Sequence, residues 1–357
     1  MPLTAARLRP HVATLGMRGM LGPLVATLLA AACAEPRADA TPAPSGTTAN
    51  GGTAASNTST GSHATPAAFD AAAWRPPADT EIPDDSLGAS IRRGRALVQH
   101  TPDSLPEYAP GRIACTNCHL DGGRNFDSAP MAGAYARFPK YLARTGAVIG
   151  MADRVNYCFT RSLAGRRLPH ESREMQDILA YLAFLSRGVP LGAGHRLPGA
   201  DGLPRIPGTD TMTTPYPGDS ARGAGVYAAR CASCHGADGA GQEYPNGGRV
   251  PALWGARSYA VGASMARQER AATFIWHNMP LGQPRSLTPQ QAYDVAAYVN
   301  AHPRPDSPGK ADDWPTGGAP ADVPYTLRSG HAAFRAPPVL PRSAAGTLVP
   351  PPAPLRR

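Results

Sequence analysis

The chain has 357 residues, a formal net charge of +9, 42% hydrophobic residues and only 6% aromatic ones. That length admits two or three domains, but the 40 prolines and 38 glycines are gathered in particular stretches, which excludes a chain folded from end to end. So few aromatics suit small domains whose cores are partly supplied by a large apolar cofactor.

The N-terminus reads as an export signal. Arg7, Arg9 and Arg18 form a basic region around and before an uncharged apolar run from Met20 to Ala32, which is too short to span a bilayer. No Arg-Arg pair precedes it, which favours export in the unfolded state. The run ends Leu29-Ala-Ala-Ala32-Cys33-Ala34. This resembles a bacterial lipobox with Cys33 as the lipidated residue, although Ala30 stands where Leu is usual. Cleavage after Ala32-Cys33-Ala34 is the alternative and would discard Cys33. Residues 1–33 are therefore expected to be a signal peptide, and residues 34–69 an Ala/Thr/Ser/Pro-rich tether. Several acyl chains on Cys33 would anchor stably where one would not. Ala34 resembles an outer-membrane sorting residue, so the expected address is the periplasm, anchored to the outer membrane.

The first folded unit is expected over residues 70–188. Asp85-Ser86 can cap a helix running through Ile91, Ala96, Leu97 and Val98. Thr101 to Pro110 reads as a loop leading to Cys115-Thr-Asn-Cys118-His119. His170-Glu171 opens a further helix, with Met175, Ile178, Leu179, Leu182 and Leu185 on one face. Residues 189–218 read as a Gly/Pro-rich linker. A second unit, residues 219–302, repeats the outline: Asp219-Ser220 caps a helix that runs into Cys231-Ala-Ser-Cys234-His235. Thr288-Pro289-Gln290-Gln291 reads as a capped helix start. Residues 303–357 form an extension and a Pro-rich tail expected to lack structure.

Each Cys-x-x-Cys-His is a c-type haem attachment signature. Two thiols form thioethers to the haem vinyl groups and the following His becomes the proximal iron ligand. One occurrence could be accidental; two, each followed by a turn-rich polar loop, weigh against zinc and thioredoxin-like readings. The expected fold is mainly α, with two class I cytochrome c-like domains and two covalently bound c-type haems. Of the six cysteines, four attach haem, Cys33 is the lipid candidate, and Cys158 is left over. No pair remains for a structural disulfide.

The distal ligands set what each haem does. For the second haem the candidate is Met279 in Trp276-His277-Asn278-Met279-Pro280, with His277 as the rival and a surface methionine as the plain alternative. A thioether raises the potential, which suits electron exit. For the first haem, Met131, Met151 and His170 are possible, but Cys158 is the odd cysteine, 39 residues beyond His119. A buried free cysteine can be simply a small apolar residue. Here Arg154, Arg161, Arg166 and Arg167 surround it, and cations stabilise a thiolate. Residues 111–173 hold ten Lys/Arg against four Asp/Glu. This excess can draw in small anions, or in part be a solvated basic face. No nucleic-acid partner is expected.

The pattern Arg154-x-Asn156-x-Cys158-x-x-Arg161-Ser162-x-x-Gly165 between two Cys-x-x-Cys-His motifs resembles the dihaem thiosulfate dehydrogenases. The similarity runs roughly from Ser90 to Tyr325. It includes Arg137-Phe-Pro139-x-Tyr141, Ala180-Tyr-Leu182, Asn278-Met-Pro280 and Asp313-Trp-Pro315. The Cys-x-x-Arg-Ser element is shared with the related Sox cytochrome that joins thiosulfate to a carrier protein. The resemblance implies coupling of two thiosulfates to tetrathionate, or the reverse. Cys158 would be both the distal ligand of the first haem and the reacting sulfur, through a transient Cys–S-sulfonate. Arg154 and Arg161 would hold sulfonate oxygens and Ser162 would add a hydrogen bond. Electrons would pass from the first haem to the second and leave to a soluble cytochrome c or similar acceptor. Some members carry Lys just before the methionine; Asn278 stands here, so no Lys exchange is expected. The alternatives are a Sox-type transferase and a non-catalytic electron-transfer cytochrome.

Overall fold

A computed structural model of the chain describes residues 68–200, 202–207, 209, 217–245, 248–330 and the backbone of 339–340. The export signal, Cys33, the tether up to residue 67 and the tail beyond residue 340 lie outside the described residues.

Helix α1 (Ser86–Gln99) starts where the Asp85 carboxylate accepts from the Gly88 amide. Satisfying that free N–H is what an N-cap does. The short helix α2 (Thr101–Ser104) follows directly, in place of the expected loop, with Pro102 inside its first turn, where a missing N–H costs nothing. After the first haem motif come the antiparallel hairpin β1 (Lys140–Leu142) and β2 (Ala147–Ile149), then α3 (Met151–Arg161) and α4 (Arg173–Phe184). Helix α4 begins later than His170-Glu171 because Ser172 takes the cap, its hydroxyl accepting from Met175 N. The second half holds α5 (Ser220–Arg230), α6 (Ala232–His235), the pair β3 (Gln242–Glu243) and β4 (Arg249–Val250), α7 (Gln268–Asn278) and α8 (Pro289–Asn300). Thr288 and Gln291 form the capping box expected at α8. Last is β5 (Arg304–Pro305), parallel to β6 (Val339–Leu340).

Two helix crossings of the same construction organise the two halves. In the first, α1 crosses α4 at Gly94, where an added Cβ would lie 1.8 Å from the Asp177 carbonyl oxygen. In the second, α5 crosses α8 at Gly223, 2.0 Å from that of Asp294. Beside each glycine an arginine grips the facing carboxylate with two hydrogen bonds. Arg93 reaches Asp177 at 2.7 and 2.9 Å, and Arg222 reaches Asp294 at 2.8 Å twice. Glycine permits the close approach and the bidentate pair sets the register. This repetition supports the duplication of a cytochrome c-like unit, and the fold is mainly α.

The halves share their packing. Tyr259, Ala263 and Ala266 are buried in the core formed by Ile91, Phe159, Met175 and Tyr181. The described part of residues 189–218 also packs: Leu197, Leu203 and Ile206 are buried, Ile206 against Ala272 and Tyr293. Those apolar residues sit irregularly between prolines and glycines, so no periodicity announces them. The extension after α8 forms a third cluster, with Val261, Trp314, Val323, Tyr325 and Leu327 buried together.

Candidate haem sites and the Cys158 helix

Cys115–Asn117 forms a tight turn, closed where the Asn117 side-chain oxygen accepts from Ala114 N at 2.7 Å. His119 follows with its Nδ1 on the carbonyl of Ala129. A carbonyl can only accept, so Nδ1 carries the proton and the Nε2 lone pair is free for iron. Burial, reinforced by the Arg154 and Arg137 guanidiniums, pushes the His119 pKa down to about 4, so the ring is neutral. The second motif repeats this. Cys231 precedes α6, His235 Nδ1 donates to the Pro251 carbonyl at 3.0 Å, and burial lowers the His235 pKa. Gly236, at φ 80°, turns the chain directly after the histidine.

These residues fit haem better than the alternatives. Burial pushes the Cys115 thiol up to about 11 and Cys118 up to about 12. A dithiol redox motif needs the opposite shift. Among the described residues no group of three or more His, Cys, Asp or Glu is placed to hold a metal ion alone, so the zinc reading lacks its ligands. Arg304 adds a further point of fit. It is fully buried and stacked on the Tyr259 ring at 4.3 Å, and its Nη2 donates to Val299 O. Among the described residues its Nε and Nη1 have no hydrogen-bond partner. A buried guanidinium with donors to spare suits a carboxylate such as a haem propionate.

Cys158 lies on α3, and its Sγ accepts from Arg154 Nη1 at 2.8 Å, one helical turn away. The Cys158 charge is felt at Cys115 and Cys118, and that of Arg154 at His119. This end of α3 therefore lies within electrostatic reach of the first haem motif. Arg154 forms no ion pair among the described residues, whereas Arg144, Arg161, Arg166 and Arg167 all do. Asn156, fully buried, holds the back of the helix: its amide donates to Leu168 O at 2.8 Å and accepts from Leu168 N at 2.7 Å.

Arg161, the other candidate for the sulfonate, is engaged within the protein. Its Nε and Nη2 donate to Asp313, its Nη1 to Pro308 O and its Nη2 also to Gly309 O. Those contacts tie it to the extension. Ser162 ends α3, its amide donating to Cys158 O and its carbonyl accepting from Ala260 N. Of the rival ligands, Met151 is a core residue, Met131 packs against that core, and His170 sits at the surface beside Asp153.

Met279 follows α7 in extended conformation, its amide donating to Ile275 O at 2.7 Å. His277, the rival, is buried, and its Nδ1 has no hydrogen-bond partner among the described residues. Its Nε2 donates to Pro204 O at 2.9 Å, and its Nδ1 lies 3.6 Å from Asp127. Asn278 is buried and donates to the carbonyls of Asp127 and Phe274.

Sequence reasoning gave no role to Tyr157, Tyr325 or Asp313, although Asp313-Trp-Pro315 stood out as a motif. They meet in one cluster. The buried Asp313 carboxylate accepts from Tyr157 at 2.6 Å, Tyr325 at 2.7 Å, and Arg144 and Arg161 at 3.0 Å.

Residues 107–191 match the SoxA/TsdA cytochrome c domain family, and residues 220–303 the cytochrome c family. The chain is 44% identical over 237 residues to the thiosulfate dehydrogenase of Allochromatium vinosum, covering 64% of this chain and 83% of that protein. It is 38% identical over 265 residues to the thiosulfate dehydrogenase of Psychrobacter arcticus, covering 73% and 78%. The solved structure of the thiosulfate dehydrogenase TsdBA from Marichromatium purpuratum, in its as-isolated form, superposes with a TM-score of 0.63 at 32% identity. The match covers 73% of this chain and spans 57% of that one.

Proposed function

This chain belongs to the thiosulfate dehydrogenase family of dihaem cytochromes c, and on that premise we propose that Cys158 is the residue at which it oxidises thiosulfate. The observation that supports this reading is the 2.8 Å contact between Arg154 and the Cys158 sulfur, within electrostatic reach of the first haem motif. In this reading the Cys158 sulfur is the nucleophile.

Cys115, Cys118, Cys231 and Cys234 would attach the two haems. His119 and Cys158 would hold the first iron, and His235 and Met279 the second. Arg304 would meet a propionate. When bound, the haems supply two one-electron acceptors.

The chain's own residues supply the sulfur chemistry. The Cys158 thiolate joins the terminal sulfur of one thiosulfate, forming Cys–S–S–SO3⁻ with loss of two electrons. A second thiosulfate attacks the middle sulfur, forms tetrathionate and returns the thiolate. No proton is exchanged, so no general base is needed beside Cys158. Arg154, which has no carboxylate partner among the described residues, holds the incoming anion as well as the Cys158 sulfur. The Ser162 hydroxyl adds a hydrogen bond to it. The same groups serve the reverse direction. Met279 makes the second site the point of electron exit to a cytochrome c-type acceptor. We place the enzyme in the periplasm, where c-type haem is attached, with Cys33 as its lipid anchor.

The test is to mix purified, haem-loaded protein with thiosulfate and ferricyanide, and to follow bleaching and tetrathionate together for wild type and Cys158→Ala. Tetrathionate from the wild type and none from the variant is expected. Equal yields from both would move the chemistry away from Cys158.

A further inference from the structure

We propose that Asp313, in the extension after the second cytochrome unit, is the positioning residue that sets the rotation of α3 and so holds the Cys158 sulfur toward the first haem site. The inference rests on the reading of Cys158 as distal ligand and reacting sulfur.

Helix geometry gives the reason. At 3.6 residues per turn, Tyr157 lies about 100° and Arg161 about 60° round from Cys158, both on the same flank, while Asn156 lies about 160° away, on the back. The two flank residues converge on one carboxylate: Asp313 accepts from Tyr157 at 2.6 Å and from Arg161 at 3.0 Å. The back is fixed by the paired Asn156–Leu168 hydrogen bonds. A helix held at the back and at one flank cannot roll. A roll of ~15° would carry a side-chain tip ~5 Å from the axis by about 1 Å, a misplacement on the scale that costs roughly 100-fold in rate.

Asp313 is itself immobilised. It is only 2% exposed, and its other donors, Arg144 and Tyr325, come from the hairpin side and from the extension. Arg144 also donates to Gly262 O and lies over the Trp314 ring. Trp314 in turn donates through its amide to the Arg144 carbonyl. The cluster joins the hairpin, α3, the 258–266 segment and the extension at one carboxylate. Its two guanidiniums and one carboxylate leave one net positive charge close to the Cys158 turn.

The experiment compares haem-loaded wild type with Asp313→Asn, Tyr157→Phe, Tyr325→Phe and Cys158→Ala. Three readouts are taken: the ferric low-spin signature of thiolate ligation, the reduction potential of the first haem, and kcat against KM. Asp313→Asn is expected to lose much of the thiolate signature, raise the potential and lower kcat about 100-fold, with KM changed far less. Tyr157→Phe leaves the ion pairs intact but cuts one tether on α3, and should shift the same readouts in the same direction. Tyr325→Phe removes a donor that is not on α3 and keeps both α3 tethers on Asp313, so it should shift these readouts much less than Tyr157→Phe. If Asp313→Asn fails to fold, the contrast between the two Tyr→Phe variants decides. Wild-type signature, potential and kcat in Tyr157→Phe, or equal effects in both Tyr→Phe variants, overturn the proposal. A wild-type signature that survives Cys158→Ala overturns the underlying ligand assignment instead.

Discussion

Asn278 donates from its side-chain amide to the carbonyl of Asp127 at 2.7 Å, across 151 residues of chain. Asp127 stands two residues before Ala129, whose carbonyl holds the first proximal histidine, and Asn278 stands directly before Met279. One short loop thus supports His119 on one side and the Met279 segment on the other. The Asp127 side chain adds contacts to His277 and Arg285.

Asn278→Ala would leave the Asp127 carbonyl, in a partly buried place, without this donor. The expected cost is about 1–3 kcal/mol of stability, read by thermal denaturation of the holoprotein. The expected spectroscopic effect is weakened methionine ligation and a lower potential at the second haem, with the first unchanged. An unaltered second-haem potential would show that Met279 is held without Asn278.

Arg154 makes a charge-assisted hydrogen bond to the Cys158 sulfur. Hydrogen bonds to charged groups are worth about 1.5–3 kcal/mol, so Arg154→Ala should lower kcat/KM for thiosulfate by about 10- to 100-fold. Arg154→Lys keeps the charge but loses the fork, and should fall between. Steady-state assays across ionic strength check this, because loss of a binding cation should also flatten the salt dependence.

At Gly223 an added methyl has no room beside the Asp294 carbonyl. Gly223→Ala should force α5 and α8 apart and destabilise the fold by at least about 1–3 kcal/mol. The measurements are the melting temperature and haem occupancy of the second site. Gly225, whose added Cβ meets nothing within 4 Å, is the control, and Gly225→Ala should be tolerated.

Acid should weaken the fold through three carboxylates. Burial opposes ionisation of Asp177, Asp294 and Asp313, yet each is held below the usual carboxylate range, by Arg93, Arg222 and the Arg144–Arg161 pair respectively. A folded-state pKa below the unfolded value of about 4 means that the unfolded chain takes up protons first. The stabilisation is complete above that value and is lost as pH falls through the depressed folded-state values. Melting temperature is therefore expected to be level above about pH 5 and to drop below about pH 4, with a shallower acid slope in Asp294→Asn.

Much of the local architecture could be read from residues close in sequence. The Asp85 and Thr288 caps, the helix faces and the two Cys-x-x-Cys-His motifs depend on neighbours within a few positions. Ser172 shows the limit of that reading. It competes with His170-Glu171 for the start of α4, and only the packed chain selects the hydroxyl that reaches Met175 N.

Sequence by itself determined the chemistry on offer: four cysteines and two histidines in attachment spacing, Cys158 between the two motifs, and an arginine one helical turn before it. Tertiary structure decided which of those groups are free to act. Arg154 and Arg161 flank Cys158 almost symmetrically in sequence, and either could hold an anion. Folding brings Asp313, 152 residues on, against Arg161 and leaves Arg154 on the cysteine sulfur. A guanidinium pairs as readily with a distant carboxylate as with a substrate, because both present the same charge and the same oxygen geometry. Only the long-range path of the chain distinguishes the two.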